Sequence, residues 1–215
     1  MNPFPLILSS ARRGGKTTIR QLLLKRRSDV GYSVSCTTRG ARPGEEDGRD
    51  YHFLTLDEFS RRRAGGDFAE HAEVHGNQYG TLKAEVDLVF STGRHVVMDI
   101  DVQGARQFVA AYPESVLVFL LPPSAEALVG RLTGRKTEDP ATTLRRLTGA
   151  RDELAAVHQY QYVVVNDDLE TAYSQVSAIV DAETVRHRRL PLLSDRVRRL
   201  VDELDRRITQ FPRGT

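Results

Sequence analysis

The alternation of short apolar runs with helix-like stretches is the feature that most constrains the fold of this 215-residue chain. The runs are rich in β-branched residues and have the length of buried strands, whereas the stretches between them have helical spacing. Strands that alternate with helices favour a parallel sheet joined by crossover helices. The predicted strands cover residues 6–9, 32–36, 95–99, 116–121 and 162–165, and the predicted helices include 16–25, 125–132 and 169–185. We therefore predict an α/β fold with a parallel core sheet.

Two segments interrupt this alternation. Residues 37–82 contain short strand-like pieces at 51–54, 68–74 and 78–81, and the last two flank a tight HGN turn, so we expect them to pair antiparallel. The charged stretch 134–140 breaks a helical pattern, as a lid would. The predicted division is a core of residues 1–36 and 83–185 with a lid at about 134–148, an inserted mixed β subdomain at 37–82, and a C-terminal helix at 186–215.

The C-terminal segment is basic and amphipathic. From residue 186 to 215 nine arginines stand against four acidic residues, although the net charge of the whole chain is only +2. Apolar residues recur at steps of three to four behind Ser194, which we expect to cap the helix. They are Val197, Leu200, Val201, Leu204, Ile208 and Phe211. We expect this stripe to pack against the core or a sister subunit, with a basic membrane or RNA contact as the alternative.

Composition narrows the class of protein. Hydrophobic residues make up 40% and charged residues 28%, which are ordinary globular values. The longest apolar run, at 116–121, is far short of the roughly 20 residues that span a bilayer. A single cysteine, Cys36, excludes an internal disulfide and fits a reducing compartment. We expect a cytoplasmic protein, monomeric or homodimeric, with no membrane and no specific nucleic-acid partner.

The sequence SSARRGGKTT at 9–18 lies between the first predicted strand and the first predicted helix. That position suits a phosphate-binding loop (P-loop), because backbone N–H groups and the positive helix end face the anion. Lys16 is expected to reach the β- and γ-phosphates of a nucleotide, and the Thr17 hydroxyl to bind Mg²⁺. The pattern GxxxxGK[ST] is incomplete, because Ser10 occupies its first glycine position. A glycine-rich turn before a basic helix is the alternative.

The inserted segment offers groups that suit guanine and a phosphate monoester. One buried carboxylate can accept from both the N1–H and the N2 amino group of guanine, and a hydroxyl can donate to O6, whereas the N1 lone pair of adenine repels the same carboxylate. Glu70 is the candidate carboxylate, with Ser35 and Thr81 as hydroxyls. Candidates for clamping a phosphate dianion are Arg39, Arg42, Tyr51 and Tyr79. Spacing alone does not show that these residues converge.

Six motifs in this chain resemble those of guanylate kinases. They are SVSCTTR at 33–39, RPGE at 42–45, GRDYHF at 48–53, EHAEVHGNQYGT at 70–81, DIDVQG at 99–104 and VNDD at 165–168. The motifs occur in order, with nearly the expected spacing, and the likeness runs from about residue 6 to residue 179. The resemblance implies transfer of the γ-phosphoryl group of ATP to GMP, giving ADP and GDP, with Mg²⁺ as the metal and residues 37–82 as the GMP-binding subdomain.

The resemblance also implies roles for individual residues. On the acceptor side, Glu70, Ser35, Thr81 and Asp101 would read the base, and Arg39, Arg42, Tyr51, Tyr79 and Gly80 would surround the rest of GMP. On the donor side the implied residues are Gly14, Gly15, Lys16, Thr17, Thr18, Arg131 and Asn166. Thr17 and Asp99 would hold Mg²⁺, and Lys16, Arg135, Arg146 and Asp99 would act on the transferring phosphoryl group. Without the family, a strand-ending turn explains Asp99 and Asp101, and a solvated helix face explains Arg131 and Arg146.

The chain departs from guanylate kinases in the phosphate loop. Ser10, Ala11, Arg12 and Arg13 stand where the family has Gly-Pro-Ser-Gly, so two glycines are lost. The departure puts the backbone path of the loop and the tightness of ATP binding in doubt. Three alternatives to the GMP kinase stay open: a non-catalytic GMP-binding or scaffold protein, a kinase with a shifted donor or acceptor such as dGMP, and a nucleic-acid binder that acts through the C-terminal segment.

Overall fold

In the computed structural model, which describes residues 2–74, 76–133 and 140–210, nine strands form one five-stranded and one four-stranded sheet. The strands are β1 (Pro5–Ser10), β2 (Val30–Tyr32), β3 (Cys36–Thr37), β4 (His52–Phe53), β5 (Phe68–Val74), β6 (Asn77–Leu82), β7 (His95–Asp99), β8 (Val116–Leu121) and β9 (Tyr162–Val165). The helices are α1 (Lys16–Arg26), α2 (Leu56–Ala64), α3 (Lys83–Ser91), α4 (Val102–Ala111), α5 (Ala125–Thr133), α6 (Pro140–Ala155), α7 (Leu169–Thr184) and α8 (Leu193–Gln210).

The five-stranded sheet forms the core and is parallel throughout, in the order β2-β7-β1-β8-β9. All six residues of the central strand β1 are buried, because apolar clusters cover both faces of the sheet. Such doubly covered strands read as continuous apolar runs, which is why their positions were visible in the sequence. The predicted α/β class with crossover helices is confirmed.

The four-stranded sheet is mixed, in the order β4-β3-β6-β5. Strand β3 runs parallel to β4 and antiparallel to β6, and the predicted antiparallel pairing of β5 with β6 is confirmed. Helix α2 within this segment was not predicted. Its signal was a capping box, since the Thr55 side chain accepts from the backbone N–H of Glu58 at 3.1 Å.

The predicted single strand at 32–36 is wrong. The structure divides it between the two sheets, because Val30–Tyr32 pairs with β7 while Cys36 pairs with His52 and Gly80. Residues 33–35 alternate polar and apolar side chains, as one continuous strand would. The sequence pattern therefore does not show where the chain leaves the first sheet, which depends on the strands available for pairing. This crossing places residues 33–35 between the sheets, next to the site described below.

The C-terminal predictions need two corrections. Helix α8 begins at Leu193, so Ser194 lies inside it and does not cap it. None of the described side chains of α8 is buried, so the expected packing against the core does not occur. Phe211 and the first part of the predicted lid, residues 134–139, lie outside the described residues. Within the described ranges, no helix is both long and apolar enough to cross a membrane.

Candidate active site

The carboxyl end of β1 lies at the centre of the site. Because β7 and β8 flank β1 in parallel, the loop after β1 and the residues after β7 meet at the same edge, where Leu8 lies opposite Asp99. Crevices at the carboxyl ends of parallel strands are the usual ligand sites of such sheets. Helix α1 starts directly after the loop at Lys16, so its positive end faces the same edge.

The phosphate loop contains a side chain in a left-handed conformation. Arg13 has φ 63°, a region that costs roughly 1–2 kcal/mol for a non-glycine residue. Gly15 has φ 90°, and a Cβ there would lie 2.3 Å from Asn166 Nδ2, so this position requires glycine. The backbone N–H of Arg12 donates to Glu153 Oε2 at 2.8 Å, so one loop amide is satisfied by a carboxylate of α6.

Three hydrogen bonds tie this loop to the donor-side residues. Asn166 Nδ2 donates to the carbonyl of Gly14 at 2.8 Å, Arg131 Nη2 donates to the carbonyl of Asn166 at 2.9 Å, and Arg13 Nη1 donates to the carbonyl of Arg131 at 2.9 Å. Asn166 is buried and Arg131 half-buried. Arg131 is therefore not a solvated surface arginine, and Arg13 compensates part of its backbone strain through its side chain.

A cavity of about 420 Å³ opens beside the loop and carries further cations. Arg12, Arg145 and Arg146 line it together with Glu153, so an anion entering there meets positive charge from both the loop and α6. Thr18 is exposed in the first turn of α1. Arg135, assigned to the transferring phosphoryl group by resemblance, lies outside the described residues.

Thr17 and Asp99 meet as a candidate metal pair. The Thr17 hydroxyl donates to Asp99 Oδ2 at 2.6 Å. A hydroxyl and a carboxylate fit Mg²⁺, which takes oxygen ligands and typically keeps waters and substrate phosphates in its shell. Clusters of three or more acidic, His or Cys ligands do not occur in the part of the chain that the structure describes.

Arg20 is a site residue that sequence reasoning missed. Its Nη1 lies 2.7 Å from Asp99 Oδ1, and its guanidinium stacks 4.3 Å from the centre of the Tyr32 ring. Its Nε is buried and has no hydrogen-bond partner among the described residues. The available signal was its spacing from Lys16, because residues i and i+4 share a helix face.

The acceptor cavity lies between the two sheets and has a volume of about 310 Å³. Its lining includes the predicted residues Ser35, Tyr51, Glu70, Tyr79, Gly80, Asp99 and Asp101, together with Thr17, Arg20 and Tyr32. The cavity thus brings six of the predicted acceptor residues next to the candidate metal pair of Thr17 and Asp99, whereas Arg39, Arg42 and Thr81 do not line it. Asp101 also caps α4, because its Oδ1 accepts a hydrogen bond from the backbone N–H of Gly104 at 2.8 Å. The alternative explanation of Asp101, a strand-ending turn, is therefore compatible with its position in the cavity lining.

Glu70 is the buried anion of this cavity. Glu70 is only 8% exposed, and its Oε1 accepts a hydrogen bond from the Thr81 hydroxyl at 2.7 Å. A Cβ on Gly104 would lie 3.1 Å from Glu70 Oε2, so glycine at 104 leaves room for the carboxylate. Burial raises the pKa of Glu70 to about 6, although the Thr81 hydrogen bond opposes that rise. With this pKa the carboxylate form predominates at neutral pH, and it can accept hydrogen bonds.

The predicted phosphate clamp is assembled in part. The rings of Tyr51 and Tyr79 lie 6.0 Å apart, and the Arg39 guanidinium lies 5.5 Å from the Tyr51 ring. Arg39 is engaged by Glu45, whose two oxygens lie 2.9 and 3.0 Å from its Nη2, and this hydrogen bonding raises the pKa of Arg39. Neither Arg39 nor Arg42 lines the cavity itself. Arg39 lies next to it, beside Tyr51, and is half-buried, whereas Arg42 is exposed at the surface.

Comparisons with known proteins agree on one family. The family model for guanylate kinase matches residues 2–183. A guanylate kinase of Chromohalobacter salexigens is 42% identical over 201 residues, covering 91% of this chain and 94% of that protein. A guanylate kinase of Aromatoleum aromaticum is 46% identical over 186 residues, covering 86% of this chain and 91% of that protein. The crystal structure of guanylate kinase from Anaplasma phagocytophilum has a TM-score of 0.71 at 34% identity, covering 90% of this chain and 92% of that one.

Proposed function

Because the chain belongs to the guanylate kinase family, we propose that it transfers the γ-phosphoryl group of ATP to GMP and releases ADP and GDP. The observation that carries this proposal is the buried carboxylate of Glu70, which is hydrogen-bonded by Thr81 and lines a cavity that continues to Thr17 and Asp99. The four-stranded sheet, which holds Glu70, Tyr79 and Thr81, serves as the acceptor-binding subdomain, and dGMP is an alternative acceptor.

Base recognition follows from the hydrogen-bonding groups in the cavity. Glu70 accepts from the N1–H and the N2 amino group of guanine. Since the Thr81 hydroxyl already donates to Glu70, the Ser35 hydroxyl is the group available to O6. Adenine presents a lone pair at N1 and an amino group at position 6, and so leaves the carboxylate without its donors.

The acceptor phosphate is proposed to lie between the base-reading residues and Asp99. Tyr51 and Tyr79 donate phenolic hydrogen bonds, and Arg39 exchanges the Glu45 carboxylate for the phosphate. Arg20 adds a second cation at the side of the cavity nearest the donor. Phosphoryl transfer needs little covalent chemistry from the protein, so these contacts act by holding one acceptor oxygen in line with the γ-phosphorus.

The donor phosphates are proposed to lie over the loop and the first turn of α1. Backbone N–H groups near Gly14 and Gly15 and the ammonium group of Lys16 face the triphosphate, and Arg146 approaches from α6. Thr17 and Asp99 would hold Mg²⁺, which when bound neutralises phosphate charge. The cations stabilise the charge that develops as the bond to the β–γ bridging oxygen breaks, and closure over the site excludes water.

The decisive experiment is a coupled assay of ADP formation with GMP, dGMP and AMP as acceptors, run on the natural chain, Lys16→Met and Lys25→Met. Lys25 is an exposed lysine in the same helix, so it controls for the loss of a charge. We expect Lys16→Met to remove most activity while its GMP affinity by calorimetry stays nearly unchanged, and Lys25→Met to behave like the natural chain. Equal activity of the two lysine variants would contradict the assignment of the loop.

A non-catalytic GMP-binding protein is the second candidate, and the loop favours it. Arg13 adopts φ 63° where the family has glycine. The backbone N–H of Arg12 already donates to Glu153, so it is not free to bind a phosphate oxygen. This reading predicts a folded protein that binds GMP but forms no GDP with Mg²⁺ and any common nucleoside triphosphate. The same assay therefore separates the two candidates.

A further inference from the structure

Helix α8 carries an apolar stripe that nothing in the described structure covers. Val197, Val201, Leu204 and Ile208 are 49%, 47%, 57% and 69% exposed. An isolated helix of this length is marginal in water, because most helical stability in proteins comes from packing one apolar face. A contiguous apolar surface with polar flanks marks an interaction site.

The chain just before α8 is fixed to the core. Arg189 is 2% exposed; its Nε lies 3.1 Å from Glu183 Oε2, its Nη2 donates to the carbonyl of Glu114 at 2.8 Å, and its guanidinium stacks 4.4 Å from the Phe4 ring. The helix therefore starts from an anchored point four residues later. The exposed stripe belongs to an anchored segment and not to a loose terminus.

The charge of α8 argues against an anionic partner. Five arginines and four acidic residues lie between Leu193 and Gln210, so the helix is almost neutral. Binding to an anionic membrane or to nucleic acid needs an excess of Lys and Arg on the polar face. A near-balance of both signs beside an apolar stripe is the pattern of a helix that pairs with another helix.

The spacing of the stripe is that of a coiled-coil seam. Val197, Val201, Leu204 and Ile208 follow each other at steps of four, three and four, which alternates the two apolar positions of a heptad. Arg198 and Asp205 are seven residues apart and lie along the same edge of this seam. Asp205 makes no ion pair with a described residue, and Arg198 makes one within its own helix, at 3.5 Å to Asp195.

We propose that α8 pairs antiparallel with α8 of a second copy of this chain. A two-fold axis near Val201 and Asp202 would set Arg198 opposite Asp205 of the partner subunit, and repeat that contact on the other side of the axis. The apolar residues would then form one continuous seam. A parallel pair would instead place each Asp205 opposite Leu200 of the partner subunit, where an aspartate has no cation.

The test is the molar mass of the full chain by sedimentation over a concentration series. The monomer has a mass of 24.1 kDa, and we expect the natural chain to reach twice that mass. Arg198→Asp and Asp205→Arg should each be monomeric, because each creates a like-charge contact in the pair, and Arg198→Asp/Asp205→Arg should recover the dimer. Arg199→Asp, an identical change on the face opposite the seam, is the matched control and should dimerise.

Circular dichroism and GMP titration of every variant show whether the core stays folded, so that loss of the dimer is not loss of the fold. A natural chain that is monomeric at every concentration overturns the proposal. So does a dimer that survives Val201→Asp, because the seam would then be unused. Co-sedimentation of the natural chain with vesicles of anionic lipid that is abolished by Val201→Asp, without dimer formation, would assign the stripe to a membrane surface instead.

Discussion

The guanidinium of Arg20 and the carboxylate of Asp99 form an ion pair at 2.7 Å, at the point where the acceptor cavity meets the phosphate loop. Thr17 holds the other oxygen of Asp99 at 2.6 Å, so the carboxylate is fixed between a candidate metal ligand and a cation. Both side chains of the ion pair are largely shielded from solvent, and a pair of this kind is much less screened by salt than a surface pair. Arg20 is thus placed to orient Asp99 and to face the acceptor phosphate.

Arg20→Leu should lower kcat/KM for GMP by roughly tenfold to a hundredfold, because a hydrogen bond to a charged group contributes about 1.5–3 kcal/mol. Steady-state kinetics measures the effect. Arg26→Leu in the same helix is the control, since its pair with Glu170 is exposed, and it should change kcat/KM little. Similar kinetics for the two variants would remove Arg20 from the site.

Glu70→Gln should narrow the preference for GMP over AMP. A site built on a substrate's hydrogen bonds discriminates by roughly 10⁴–10⁵, and replacing the carboxylate by an amide costs about 2 kcal/mol, or roughly thirtyfold, for GMP. The measurement is the ratio of kcat/KM for the two acceptors. Glu73→Gln, in the exposed part of the same strand, should leave the ratio unchanged. A natural chain that uses AMP as well as GMP would refute the assignment of Glu70.

Glu70 should also make the stability of the ligand-free protein depend on pH. Its pKa of about 6 in the folded state lies above the ordinary 4.5, so ionisation opposes folding. The penalty is absent below about pH 4.5 and complete above about pH 6, where it amounts to about 2 kcal/mol. Urea unfolding should show Glu70→Gln gaining that much on the natural chain between pH 4 and pH 7. A difference that does not change with pH would contradict this.

Two substitutions of Arg13 distinguish the effect of backbone strain from the effect of the side-chain hydrogen bond. Arg13→Ala keeps a Cβ at φ 63° and loses the hydrogen bond to Arg131, whereas Arg13→Gly loses the bond but relieves the strain. We expect the alanine variant to be less stable than the glycine variant by about 1 kcal/mol. Chemical denaturation measures this difference. Higher kcat/KM for ATP in Arg13→Gly would show that the arginine impairs the loop, and lower kcat/KM would show that it has become a ligand.

Arg39→Ala should damage GMP use more than Arg42→Ala does. Arg39 lies beside Tyr51 and Tyr79, and the loss of a charge-assisted contact with phosphate costs roughly 2–4 kcal/mol, whereas Arg42 is exposed. KM and kcat for GMP, with ATP affinity as the control, measure the contrast. Equal losses would show that Arg42 moves into the cavity when GMP binds.

The sequence alone was sufficient to predict the strands and helices whose apolar residues follow a regular local pattern. Strands β7, β8 and β9 were predicted with their observed bounds. For β7 and β8 the reason is that a strand covered on both faces is a continuous apolar run. The edge strand β9 is partly exposed, and its run of β-branched valines gave the signal. The loop before Lys16 and the candidate base reader Glu70 were also visible, since their residue types and spacing carry chemistry. Family motifs, and not periodicity, supplied the roles of Asp99, Asp101 and Asn166.

Tertiary structure decided which of these elements meet. The register of β1 against β7 brings Asp99 to the loop, and only then does Arg20, one turn into α1, face a carboxylate 79 residues away. Strand pairing divided residues 32–36 between two sheets, and the helix after Arg189 left its apolar face exposed. The local sequence determines the period at which the side chains of a segment are apolar. Which strand a segment pairs with, which residue completes a salt bridge and which surface a helix packs on depend on interactions with residues that are distant in the sequence.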